Sequence, residues 1–299
     1  MDPISRELLN HYTLATYHTL PVKTPENWRY IIPELAVKNP FLMHGLIAIS
    51  ALHLSTLAPS RASELTVFAS KREQLALPLF REALLSQDPE SYLAVFIFAS
   101  FVVPYILASS ESSGVSVSRI PSHSETHPHW FHALKGVMML VCQNWKLIAK
   151  GPLGPILLTG IMPIEYEKNP DDHHLANIEN ILTVGPSLQK SEMRACKAAL
   201  NRLRRLSAHA MSNTVGVYGV IFIWPSELSE EFLQLMYDRR PEALIILAHY
   251  CVLLKKINSC WYLKGLGENL LKSIREALTP EWWPWIQWAT DYPVGTERC

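Results

Sequence analysis

The chain has 299 residues, and what it lacks bounds its function before what it contains does. Its five cysteines stand at 142, 196, 251, 260 and 299, with no CxxC pair. The nearest two, Cys251 and Cys260, are too far apart for a clustered metal site, and no metal site is expected. An odd, scattered set in apolar helical contexts predicts reduced, buried thiols in an intracellular protein, placed in the nucleus or the cytoplasm. Charge is balanced, with 27 Lys+Arg against 27 Asp+Glu. A neutral chain has no electrostatic footprint for holding nucleic acid by its phosphates, so no direct nucleic-acid binding is expected. No G-x-S-x-G elbow, Walker loop or G-x-G-x-x-G is present, which leaves no recognisable catalytic motif and no implied cofactor. Strand alternation with hairpin turns is missing, as is any internal repeat. The opening residues, MDPISRELLNHYT, hold no apolar run of the secretory kind.

Apolar residues, by contrast, are plentiful: 48% of the chain is hydrophobic and 18% charged, ample for a large core. Pro241 to Lys256 is the strongest element. Proline suits the first helical turn, where its missing N–H would go unpaired anyway. Ala243 to Leu254 are apolar on almost every side, so this helix should run through the interior. Lys255 and Lys256 place cations at the negative end of its dipole. The expected fold is all-α: one multi-helix domain over 1–299, packed around this central helix at about 241–256. Further helices are expected at 5–18, 28–36, 40–57, 61–85 with a kink at Pro78, 89–108, 129–149, 172–182, 187–211, 213–224, up to Tyr237, 266–278 and 281–289. The serine-rich stretch 109–127 reads as a mobile loop, and 151–170 as connecting chain. Tyr92 to Ala108 carries no charge. It sits at the low end of membrane-span length and is interrupted by Pro104, so a buried helix is expected and no membrane span.

Several clusters invite a functional reading. His173-His174 beside Asp171-Asp172 point apart on a helix and suit a polar helix start better than a metal site. His53 and His249 sit within apolar helices, where a hydrogen-bonded core role is the ordinary one. The basic side of 187–211, with Lys190, Arg194, Lys197, Arg202, Arg204 and Arg205, reads as a solvated helix face. Gly216 and Gly219 remove volume inside an apolar helix at about 1 kcal/mol each relative to alanine, which suggests close packing or room for a ligand. The run Trp282 to Trp288 holds four tryptophans, which serve core packing or an exposed patch that meets a partner chain.

A resemblance adds to this. The run FIWPSELSEEFLQLMYDRRPEALIILAHYCVLLKK, Glu7-Leu8-Leu9-Asn10-His11-Tyr12, Pro40-Phe41-Leu42-Met43-His44-Gly45-Leu46 and Leu134-Lys135-Gly136-Val137 together resemble the regulatory domain of fungal six-cysteine zinc-cluster transcription factors. The sterol uptake control branch is the most similar. That family's DNA-binding module needs six closely spaced cysteines, which this chain lacks; either the module lies outside this sequence or the natural protein has none. The resemblance implies a ligand-sensing domain with a hydrophobic pocket for a sterol-like or other apolar small molecule. The lining expected from pattern is Trp130, Leu134, Met138, Val217, Phe222, Trp224, Leu247, Tyr250, Cys251, Leu254 and Trp261. A homodimer is the macromolecular partner this reading allows. Two alternatives stand beside it: a cofactor-free cyclase or isomerase of secondary metabolism, acting on a terpenoid or similar apolar substrate, and a ligand-free protein-interaction module.

Overall fold

A computed structural model describes residues 1–20, 25–86, 88, 91–113, 120, 130–143, 169–184, 188–211 and 216–295. Among these there is no strand, and the all-α class expected from the sequence is the one found. In chain order the helices are α1 Pro3–His11, α2 Pro25–Lys38, α3 Pro40–Leu57, α4 Ala62–Ser86, α5 Tyr92–Ser113, α6 Trp130–Gln143 and α7 Asp172–Val184. They continue as α8 Lys190–Met211, α9 Gly216–Ser226, α10 Glu230–Tyr237, α11 Pro241–Lys256, α12 Leu266–Ala277 and α13 Trp283–Asp291. Helix α5 runs to Ser113, so the first residues of the expected 109–127 loop are helix, with the Ser109 hydroxyl donating back to the Ile106 carbonyl. Most of that loop, residues 144–149 of the expected sixth helix, and 151–168 of the expected connection lie outside the described residues. The contacts gather into two compact units, Met1–Val115 with Gly136–Leu158, and Ser116–Lys135 with Thr159–Arg298.

The first unit is built on α3, which begins on Pro40 and is apolar over nearly its whole surface. Helices α1, α2, α4 and α5 pack against it. Asp2 caps α1: its Oδ1 accepts from the Ser5 amide at 2.8 Å, which satisfies one of the four donors a helix start leaves open. His53, on α3, is buried, with Nδ1 3.0 Å from Thr16 Oγ1 and 3.2 Å from His11 Nε2. Phe98 of α5 lies on the α3 backbone at Gly45, where a Cβ would stand 2.6 Å from the ring. Only glycine admits that approach. Two helices, Pro40–Leu57 and Tyr92–Ser109, are long and apolar enough to cross a membrane by length and composition; 61% and 56% of them are buried in the fold. Helix α4 passes through Pro78 without a break in its helical run.

In the second unit α11 is the buried centre, with every residue from Glu242 to Lys255 buried. Helices α7 to α10, α12 and α13 surround it. Residues 216–226 form a helix despite their β-branched content. Ser229 caps α10, its hydroxyl accepting from the Phe232 amide at 3.2 Å. Lys255 meets a need beyond the helix dipole. Its buried Nζ donates to the carbonyls of Ala289 at 3.3 Å and Thr290 at 3.0 Å, at the C-terminal end of α13. Burial holds its ammonium below the ordinary lysine value.

Candidate functional site

Most of the side chains proposed as a pocket lining are buried. Trp224 and Tyr250 are fully buried and stack with ring centroids 4.6 Å apart at 23°. Phe232 meets Trp224 edge-on at 6.1 Å. Both polar handles are used: Trp224 Nε1 donates to the Ala199 carbonyl at 2.9 Å, and the Tyr250 hydroxyl donates to the Ile221 carbonyl at 2.7 Å. The second bond has a local cause. In an α-helix the carbonyl of residue 221 would accept from the amide of residue 225, but Pro225 has no N–H. Tyr250 supplies the missing donor from the neighbouring helix, which keeps a buried carbonyl paired.

Around this pair, Leu247, Cys251 and Leu254 are buried, Phe222 and Trp261 half-buried. Trp130 and Leu134, also in the second unit, are buried, Trp130 meeting Phe131 edge-on. Met138 is half-buried and belongs to the first unit. The backbone of Val217 is helical, and its side chain lies outside the described residues. Burial pushes the Cys251 thiol above its ordinary value and that of Cys196 up to about 12, so both stay as inert thiols. Cys260, expected to be reduced, is disulfide-bonded. Spacing alone carried no sign of that.

Other expectations find their outcome nearby. No tryptophan of the Trp282 to Trp288 run is exposed. Trp288 stacks with His174 at 4.4 Å and with His249 at 5.4 Å, and Trp283 lies under the Arg275 guanidinium. All four tryptophans of the run are half-buried, each ring partly packed and partly open. His249 is a hydrogen-bonded core residue: Nδ1 donates to the Ile245 carbonyl at 2.9 Å. The basic side of α8 is partly neutralised. Arg202 forks onto Glu227, and Arg204 bridges Asp172 at 2.6 Å and Glu179 at 2.8 Å. Asp172 and Glu179 sit on α7 and Glu227 in the turn after α9, beyond the reach of a reading of α8 alone. Among the described residues no group of three or more His, Cys, Asp or Glu is placed to hold a metal ion.

Two cavities are lined by other residues. In the second unit, His249, Ser207, Asn169, Asp171 and Trp288 border a space of about 10 Å³ for the centre of a water molecule. In the first unit a cleft of about 20 Å³, counted the same way, lies between α3, α4 and α5. The second-unit space is about what a single water needs. Sequence reasoning missed both. The available signals were Gly45 inside an otherwise bulky helix and Glu73 as a lone acid on a largely covered part of α4.

Residues 7–126 match the family described as Fungal specific transcription factor domain. The chain is 27% identical over 288 residues to Sterol uptake control protein 2 of Saccharomyces cerevisiae, covering 92% of this chain and 30% of that protein. It is 25% identical to Sterol uptake control protein 2 of Candida albicans, over 92% of this chain and 40% of that one. A Zn(2)-C6 fungal-type transcription factor of Gibberella zeae is 24% identical over 94% of this chain and 60% of its own length. The chain is thus similar, over more than nine tenths of its length, to part of each of three fungal proteins, two named for control of sterol uptake and one as a Zn(2)-C6 transcription factor. It spans less than two thirds of each of these relatives.

Proposed function

We propose that this chain is a ligand-sensing regulatory region whose ligand is an apolar molecule of the sterol class. The observation that carries the reading is the alignment of 92% of the chain with each of two proteins named for control of sterol uptake. The ligand is seated in the second unit against α9 and α11, next to Phe222, Trp224, Leu247, Tyr250 and Leu254. Those side chains are close-packed here, and a drug-sized ligand needs about 300 Å³ or more. Binding therefore requires a second arrangement in which α9 moves away from α11 and the Trp224–Tyr250 stack opens. A ligand shifts such an equilibrium only by its differential affinity for the two states. The readout of the shift is a surface offered to a second copy or another regulator, inside the cell and in the nucleus when the region acts on transcription.

The test is titration with a fluorescent sterol, following energy transfer from the tryptophans. Saturable binding is expected, and Gly219→Trp, which fills the space beside α9, should abolish it while helical circular dichroism stays unchanged. Unaltered binding by that variant would remove α9 from the site. Absence of binding by the wild-type chain would refute the sterol reading itself.

A further inference from the structure

The cleft in the first unit is chemically different from the core just described. Its floor is apolar throughout: Ala48 and Ile49 of α3, Phe98 and Phe101 of α5. Gly45 and Phe98 are in such close contact that the floor is closed beneath the ring. Leu77 and Val102 form a half-buried rim. Two polar groups reach the same cleft, Glu73 from α4 and Tyr105 from α5.

Glu73 is half-buried and has no ion-pair partner among the described residues. Its neighbour Arg72 is committed elsewhere, bonding Asp2 at 2.5 Å and the Ser5 hydroxyl at 2.6 Å. Burial holds the Glu73 carboxyl above its ordinary value, the behaviour of an acid that lacks a compensating cation. A carboxylate at the end of an apolar slot is best satisfied by an ammonium whose body is hydrocarbon, since the charge-assisted bond forms where water is partly excluded. The slot is narrow, with about 20 Å³ open to a water centre, so it suits an extended alkyl chain and not a fused-ring body. We infer that the α3–α4–α5 cleft is a second ligand site, for a primary alkyl amine whose ammonium sits on Glu73 and Tyr105 and whose chain lies along Phe98, Phe101 and Val102. This site is separate from the sterol seat, and its existence does not depend on that reading.

The test uses the full 299-residue chain and n-hexylamine, followed by ligand-observed NMR and calorimetry at about pH 7.5, where the amine is protonated. Hexanoate and 1-hexanol are the comparison ligands. Hexylamine should bind, and hexanoate should bind at least roughly tenfold more weakly, because it brings a like charge to Glu73. Glu73→Gln, which keeps the side-chain size, should weaken hexylamine by roughly tenfold while leaving 1-hexanol unchanged. Val102→Trp, at the half-exposed rim, should block all three ligands without unfolding the chain. Three results would each overturn the inference: no hexylamine binding, equal binding of amine and carboxylate, or full binding by the Glu73→Gln variant. Should Glu73→Gln fail to fold by circular dichroism, Tyr105→Phe and the amine-to-carboxylate preference of the wild type decide the same question.

Discussion

Tyr250→Phe is the sharpest test of the packing argument. The substitution removes one oxygen from a fully buried side chain and keeps the ring that stacks on Trp224. What it leaves behind is the Ile221 carbonyl, which has no helical donor because residue 225 is proline. A buried acceptor stripped of its partner costs about 1–3 kcal/mol. For a cooperative unit of this size that lowers Tm by roughly 2–10 °C. Urea titration followed by circular dichroism at the helical band measures the change directly, with Tyr30→Phe, at an exposed position, as a control expected to do nothing. A double-mutant cycle sharpens it. Pro225→Ala returns an amide to the helix, and in that background the Ile221 carbonyl has its own donor. Tyr250→Phe should then cost markedly less, giving a coupling of about 1 kcal/mol or more between the two sites. Equal cost in both backgrounds, or a single-variant cost near zero, would show that the hydroxyl does not substitute for the missing N–H.

Other consequences follow from the same structure. His53 and His249 are buried, and burial pushes each down to about 4 from an unfolded value near 6.5. Above 6.5 both states are neutral and stability is complete. Between 6.5 and 4 the unfolded chain takes up protons that the folded chain refuses, so stability falls as pH falls, by roughly 3 kcal/mol per histidine across the window. Thermal melts stepped through that range should show the decline, and a flat profile would mean that neither site excludes the proton. Lys255→Met should destabilise α13 by about 1–3 kcal/mol, since it strips the donor from the Ala289 and Thr290 carbonyls; wild-type amide exchange in α13 would contradict this. Duplex DNA should bind no more tightly than about 10⁻⁴ M, because Arg202 and Arg204 are already engaged and the chain is neutral. Submicromolar affinity with a steep salt slope in a gel-shift titration would refute that.

The helices were legible wherever pattern and end signals agreed. Pro40 at the first turn and an unbroken apolar run place α3 at Pro40–Leu57, as the sequence predicts. Apolar residues on every side of Ala243 to Leu254 announce a buried helix, and α11 is one. What could not be seen depends on neighbours brought from afar. The serines after Ala108 lack an apolar pattern, yet α5 continues to Ser113. Pro225 reads as a helix end, and nothing in the sequence says that a tyrosine on another helix takes over its donor role. Nothing local to the aromatic run at Trp282 to Trp288 says that His174 and His249 stack with Trp288. Pattern marks which residues are buried; it does not distinguish a packed core from a pocket. That is why the proposed lining is found close-packed, and why the cleft at Glu73 went unseen.

The most direct measurement of the central claim is native mass spectrometry of the chain purified from a fungal host without added ligand. A sensing region for sterols should retain a neutral apolar molecule in part of the population, seen as a discrete mass increment released on activation and identified as a sterol by extraction. The same spectrum reports monomer or dimer. A single unliganded species, with no sterol in the extract and no uptake of added sterol, would contradict the account.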